Sequence, residues 1–123
     1  MLKFNIDYID IEASLCYAIK SNKILCSFHC FHQGIENLDK LYKTLKKHRA
    51  KAIKICLKAN CKNQAKRYLN FLEKNTNKKQ PITMLSPNKN GLITRRYGPV
   101  HGNTFNYTPG PCKNKMALNA IFT

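Results

Sequence analysis

Short β-type runs alternating with amphipathic helical stretches are the feature that most restricts how this chain folds. Ala52-Ile53-Lys54-Ile55-Cys56-Leu57 reads as a strand, Asn63 to Asn75 as a helix burying Ala65, Tyr68, Leu69 and Leu72, and Ile82-Thr83-Met84-Leu85 as a further strand stopped by Pro87. Strand, helix, strand in that order predicts an α/β fold. Upstream, Ile35, Leu38, Leu41, Tyr42 and Leu45 recur at helical spacing, with Lys40, Lys43, Lys46 and Lys47 on the opposite face. That pattern predicts a surface helix from Gly34 to near Arg49. Three short runs precede it. Leu2, Phe4, Ile6 and Tyr8 alternate with Lys3, Asn5 and Asp7; Leu15 to Lys20 ends in the turn residues Ser21-Asn22-Lys23; and Ile24 to His32 is rich in β-formers. Tight turns between them predict an antiparallel meander, so the expected order is βββαβαβ. This is a mixed five-stranded sheet with helices packed on it, the ribonuclease-H-like topology. A right-handed crossover lays the fourth strand parallel to the first, which would face Asp7 to Lys58 across a short gap. Lys54 is awkward in this scheme, because a central strand should be apolar on both faces.

From Gly91 the pattern changes. Gly98-Pro99, His101-Gly102 and Pro109-Gly110-Pro111 punctuate a stretch holding Arg95, Arg96, Lys113 and Lys115 and no acid. Residues 1–90 are therefore expected to form the domain and residues 91–123 an irregular basic tail, with one helical turn from Lys115 to Phe122. Composition sets the outer limits. A chain of 123 residues with 43% hydrophobic content suits one domain of modest core. No apolar run approaches the ~18 residues of a membrane span. The segment from Met1 to Asp7 lacks an apolar leader core, which predicts a cytoplasmic protein with free thiols rather than a disulfide scaffold. Lys and Arg number 22 against 6 acids, a net charge of +16. Such a balance points to a polyanion partner, most simply nucleic acid, or else to lysine enrichment from AT-rich coding.

Four segments carry a resemblance to a known family. Phe4-Asn5-Ile6-Asp7-Tyr8-Ile9-Asp10 resembles the opening "IGIDVSK" strand of the DEDD transposases of bacterial insertion sequences, relatives of the pilin-gene inverting recombinase with a RuvC-like amino-terminal domain. Gly34-Ile35-Glu36-Asn37-Leu38 is similar to that family's "G-(L/I)-E-E-L" helix start. Ile55 to Cys61 sits where it has "V-x-L-E-A-T-G", and Leu85-Ser86-Pro87-Asn88-Lys89 resembles its "V-N-P-x-x". The resemblance implies an amino-terminal transposase fragment with a frameshifted or divergent tail. It implies DNA as partner, an element-encoded guide RNA, oligomerisation in the intact family, and Mg²⁺-dependent strand cleavage and rejoining.

Two-metal chemistry needs several carboxylates converging on the ions. Asp7 remains as one such ligand, whereas Lys58 occupies the second acidic position and the later aspartates are missing. The expectation is that Lys58 pairs with Asp7 in the metal's place, leaving the chain inactive alone and without Mg²⁺. Lys89, Arg95 and Arg96 are the expected phosphate contacts, since guanidinium forks suit phosphate oxygens. Asp10 and Glu12 are near in sequence, but a strand continuing past Asp7 turns Asp10 to the opposite face. Two other readings stay open. One is a small basic nucleic-acid-binding accessory protein without enzymatic activity. The other is a zinc module using Cys26, Cys30 and His32 or Cys56 and Cys61. Zinc is opposed by strand geometry, which spreads residues four apart over ~13 Å.

Overall fold

The computed structural model describes residues 6–76 and 79–106. The start of the first expected strand, the terminal turn at Lys115 to Phe122, and Lys113 lie outside these residues. Four strands form one sheet: β1 (Ile9–Glu12), β2 (Ile24–Cys30), β3 (Ala52–Leu57) and β4 (Ile82–Leu85). Their spatial order is β1-β2-β3-β4, and every neighbouring pair is parallel.

The expected five-stranded mixed sheet is thus corrected to an all-parallel one of four strands among the described residues. The physical reason lies between β1 and β2. Leu15 to Lys20 does not form the middle strand of a meander, because Ala13–Ala18 coils into a 3-10 helix. The connection therefore returns the chain to the end it started from, and β2 enters alongside β1 in the same direction. The first strand also begins later than its alternation suggests, at Ile9, leaving Asp7 ahead of the sheet.

Helices α1 (Leu38–Lys46) and α2 (Lys62–Asn75) occupy the two following crossovers, and α3 (Leu92–His101) follows β4. Asn37 caps α1 by accepting from the Lys40 backbone N–H at 3.1 Å. Asp39 in its first turn and Lys43 and Lys46 in its last complement the helix dipole. Right-handed crossovers between sequential parallel strands set the helices on one face of the sheet. Ile24, Cys26, Ile53, Ile55, Leu57, Ile82 and Met84 pack there against Leu38, Tyr42 and Leu45 of α1 and Ala65, Tyr68, Phe71 and Leu72 of α2. The exposed side of α1 carries Lys40, Lys43, Lys46 and Lys47 as a solvated face.

Helix α3 occupies part of the stretch expected to be irregular. Its buried residues are Thr94 and Gly98, so it presents no apolar stripe for periodicity to find. Gly102, at φ +113°, ends it in a conformation that side chains disfavour. The chain then runs along β4. Thr104 N–H donates to Ile82 O at 3.2 Å, and the Asn103 amide bonds both Met84 N–H and Met84 O, at 2.7 and 3.0 Å.

The sheet curls strongly. Tyr8, just ahead of β1, and Phe105, beyond β4, stack edge-on with ring centroids 4.9 Å apart. In a flat sheet the outer strands alone would stand ~14 Å apart. Sequential parallel strands, helices on the convex side and a closing concave face are the geometry of half a (β/α) barrel. No described helix is long and apolar enough to cross a membrane.

Candidate functional site

Side chains of register partners in parallel strands share a face, so the pairing assigns the concave surface directly. Glu12 pairs with Ser27, Ser27 with Lys54, and Lys54 with Thr83, forming one row across all four strands. One step toward the carboxyl ends, His29 pairs with Cys56 and Cys56 with Leu85. Asp10 stands one step the other way, beside Leu25. The concave face therefore gathers Asp10, Glu12, Ser27, His29, Lys54, Cys56 and Thr83, whereas the convex face of the same strands is apolar.

These groups are partnered. Lys54, 8% exposed, places Nζ 2.6 Å from Asp10 Oδ2, and the Ser27 hydroxyl donates to Asp10 Oδ1. Burial acts to raise the Asp10 pKa, but the hydrogen bonds from Lys54 and Ser27 outweigh it and hold the carboxyl below its ordinary value. His29 Nδ1 lies 2.7 Å from Glu12 Oε2, and the His29 backbone N–H donates to Glu12 Oε1 at 3.3 Å. Burial pushes the Cys56 thiol up to about 11, against the opposing pull of the Lys54 and Arg95 cations. Cys56 therefore stands neutral between them.

Arg95 reaches this surface from α3. Its Nη2 donates to Asn88 O at 3.4 Å, while its buried Nε has no hydrogen-bond partner in the structure. Burial disfavours its charged form, lowering its pKa. The loop that delivers it is tightly pinned. Asn88 accepts from Ala59 N–H at 2.9 Å and donates to Ala59 O at 2.6 Å, joining the rim after β4 to the rim after β3. Thr94 accepts from Ser86 N–H at 2.8 Å and donates to Gly91 O at 2.7 Å. Gly91 is required there, since a Cβ would come within 2.1 Å of the Ser86 side chain.

The residues singled out from sequence fall differently. Asp7 is exposed ahead of β1, at the amino-terminal end of the sheet, where its carbonyl accepts from Lys51 Nζ at 3.2 Å. Lys58 follows β3 at the carboxyl-terminal end, its carbonyl accepting from Tyr68 OH at 2.6 Å. Strand β2 lies between their strands, so the structure does not bring the two together. Lys89 and Arg96 are exposed, and of the three basic residues Arg95 alone turns toward the concave face. Cys16, Cys26, Cys30, Cys56 and Cys61 are free thiols, and the described residues hold no group of three or more His, Cys, Asp or Glu suited to a metal. Sequence reasoning missed Lys54, His29, Glu12 and Ser27 as site residues. Their signal was present: polar residues two apart on otherwise apolar strands, in Asp10-x-Glu12, Ser27-x-His29 and Lys54-x-Cys56.

A sequence model of the type I 3-dehydroquinase family matches residues 1–118. Among solved structures, the chain is similar to 3-dehydroquinate dehydratase from Geobacillus kaustophilus, with TM-score 0.72 and 17% identity over 89% of this chain and 47% of that one. It is also similar to the type I 3-dehydroquinate dehydratase from Clostridium difficile crystallised with covalently modified comenic acid, with TM-score 0.67 and 17% identity over 84% and 46%. The chain spans about half the length of these structures. No curated protein matches it. These findings overturn the transposase resemblance, and with it DNA and guide RNA as partners, transposition as function, and the nucleic-acid-binding accessory alternative. The four resembling segments are short, and the sheet they were expected to build has a different strand direction and a different neighbour for Asp7. The register that collects Lys54, His29 and Glu12 on one concave face is that of a chain belonging to the type I 3-dehydroquinase family.

Proposed function

We propose that the concave face carries the carbonyl chemistry of a 3-dehydroquinate dehydratase, with Lys54 as the amine that attacks the substrate's ketone. The observation that carries this reading is the placement of Lys54. A nearly buried amine stands in the middle of a parallel sheet, on the side away from the apolar core. Lysine amines in such surroundings form Schiff bases with carbonyl substrates. The covalently modified ligand of the Clostridium difficile structure supports a covalent route.

The chemistry balances as follows. The Lys54 amine, having given up a proton, adds to the ketone, and loss of water leaves a protonated imine. That cation acidifies the neighbouring C–H, and a base takes the proton to give an enamine. The enamine expels the β-hydroxyl, which leaves as water after gaining a proton. Hydrolysis of the resulting conjugated imine releases the unsaturated ketone and the free amine, so the net loss is one water.

His29 is the proton carrier in this scheme. Its Cα lies one strand and two residues from that of Lys54, ~8 Å by sheet geometry, and general acid–base help of this kind is worth on the order of 10²–10⁴-fold. Arg95, with a buried unpartnered Nε, suits the substrate carboxylate. Asp10 holds the resting Lys54 as an ion pair and keeps its head group aimed along the row.

Borohydride reduction of the chain mixed with 3-dehydroquinate tests the reading. The expected result is one stable adduct on the peptide containing Lys54, absent in Lys54→Met. No adduct, or an adduct spread over surface lysines, contradicts it.

A further inference from the structure

Lys58 lies one residue past β3, and its backbone N–H donates to Cys30 O at 2.9 Å, so strand pairing runs on to it. It keeps the parity of Lys54 and Cys56. Residues two apart on a strand are separated by ~7 Å, which carries Lys58 above Cys56 to the rim of the concave face. Phe31, two residues beyond His29 and exposed, stands at the same height on the β2 side. The chemistry assigned to Lys54, His29 and Arg95 leaves Lys58 without a task.

Its setting differs from that of an ordinary surface lysine. Lys58 is half-buried, whereas Lys62 and Lys89 on the flanking loops are exposed. Among the described residues its ammonium has no hydrogen-bond or ion-pair partner. The carboxylates of the concave face and its rim are engaged elsewhere. Asp10 is taken by Lys54 and Ser27, Glu12 by His29, and Glu36 by the Arg67 fork at 2.6 and 3.0 Å. A second cation stands at the same corner. Arg95 Nη2 donates to Asn88 O, and the Asn88 side chain is bonded twice to Ala59, the residue after Lys58. Arg95 also bears electrostatically on the Cys56 thiol, one step below Lys58. Cations gathered between the ends of β3 and β4 repel unless an anion lies between them. With the internal carboxylates used, a ligand is the available source of that anion.

We propose that Lys58 is a substrate-binding residue, the second cation of a carboxylate subsite that it forms with Arg95 at the rim between β3 and β4. The guanidinium fork sets the plane of the carboxylate, and the ammonium adds a point charge beside it. This rests on the reading that 3-dehydroquinate, an anion, occupies the concave face. It makes the preference for an acid over its ester a property of this corner.

Equilibrium titration of the full chain with the alcohol obtained by reducing the ketone of 3-dehydroquinate tests it. That probe keeps the carboxylate but cannot form an imine, and its methyl ester serves as the uncharged control. Lys58→Gln is expected to weaken binding of the acid about fivefold, the upper end for an ion pair with partial access to water. Lys58→Arg is expected to restore most of that loss, and neither substitution should alter binding of the ester. Backbone amide spectra establish that the variants keep the fold. In the unaltered chain, the NMR signals of the Lys58 side chain should move with the acid and stay in place with the ester. Unchanged affinity for the acid in Lys58→Gln, an equal loss for the ester, or side-chain signals indifferent to the acid overturns the proposal. Borohydride trapping at Lys54 separates the two claims. An adduct formed while Lys58 is indifferent to the acid refutes the role of Lys58 alone, and acid binding that depends on Lys58 without an adduct refutes the dehydratase reading.

Discussion

Ile53 and Ile55 of β3 pack beneath α1 and α2, while Lys54 and Cys56 of the same strand face the concave side. Both sets are shielded from water, with Ile53 and Ile55 at 0%, Cys56 at 6% and Lys54 at 8% exposure. Burial therefore does not distinguish structural from chemical residues in this molecule. Partner chemistry does. On the convex face the packing is mainly carbon against carbon, as where Tyr42 and Phe71 stack edge-on at 5.5 Å, and the Tyr68 hydroxyl at its edge is satisfied by backbone groups. On the concave face each charged group meets another polar group, as in Lys54 with Asp10 and His29 with Glu12. The helix-covered face is where stability resides, and the concave face is where the structure keeps polar groups ready.

Substitutions on the two faces are expected to separate accordingly. The largest loss of stability belongs to the convex face. Leu72→Ala, at a fully buried site of α2, is expected to cost ~2–5 kcal/mol in urea unfolding, since the cavity cannot fully collapse. Gly91→Ala comes next. Its Cβ would collide with Ser86, and forced crowding of that kind costs ~1–3 kcal/mol. Because the same loop delivers Arg95, weaker substrate retention should accompany it. Lys54→Met is expected to change unfolding by only about 1 kcal/mol or less, because Asp10 is 48% exposed and water can take the vacated place. That small effect should coincide with complete loss of the borohydride-trapped adduct.

The smallest effect is a pH dependence. Against the opposing effect of burial, the hydrogen bonds from Lys54 and Ser27 hold the Asp10 carboxyl below its ordinary pKa in the folded chain. A carboxyl with a lowered folded pKa stabilises above its unfolded value, and that contribution disappears as pH falls through the folded one. Unfolding free energies of the unaltered chain and Asp10→Asn should therefore differ near neutrality and converge in acid. A constant difference down to low pH would show that the Asp10 contacts act sterically.

Much of the secondary structure was legible because it follows local rules. The stretches 52–57 and 82–85 form strands with the expected limits, and the 63–75 helix begins one residue earlier, at Lys62. Strand direction was not legible. It depends on whether 13–18 extends or coils, and Leu15 to Lys20 has the composition of a strand while forming a 3-10 helix. The site was visible but read by the wrong standard. Lys54 conflicts with a rule that makes central strands apolar on both faces, and that rule fails when one face carries a cluster of partnered polar groups, as Lys54, Asp10 and Ser27 do here. Asp10 was set aside because it points away from Asp7, yet that parity is what places it beside Lys54. Helix α3 was hidden because Thr94 and Gly98 bury a hydroxyl and a bare backbone rather than an apolar stripe.

Neighbouring residues on one strand offer the most direct test, because they differ only in the face they serve. Adduct yield per folded molecule after borohydride reduction with 3-dehydroquinate should be measured in Ile55→Val and Lys54→Met side by side. The expected result is an undiminished yield in Ile55→Val despite lower stability, and none in Lys54→Met despite a retained fold. Adduct persisting in Lys54→Met, or lost in folded Ile55→Val, would contradict the division of the sheet into a structural and a chemical face.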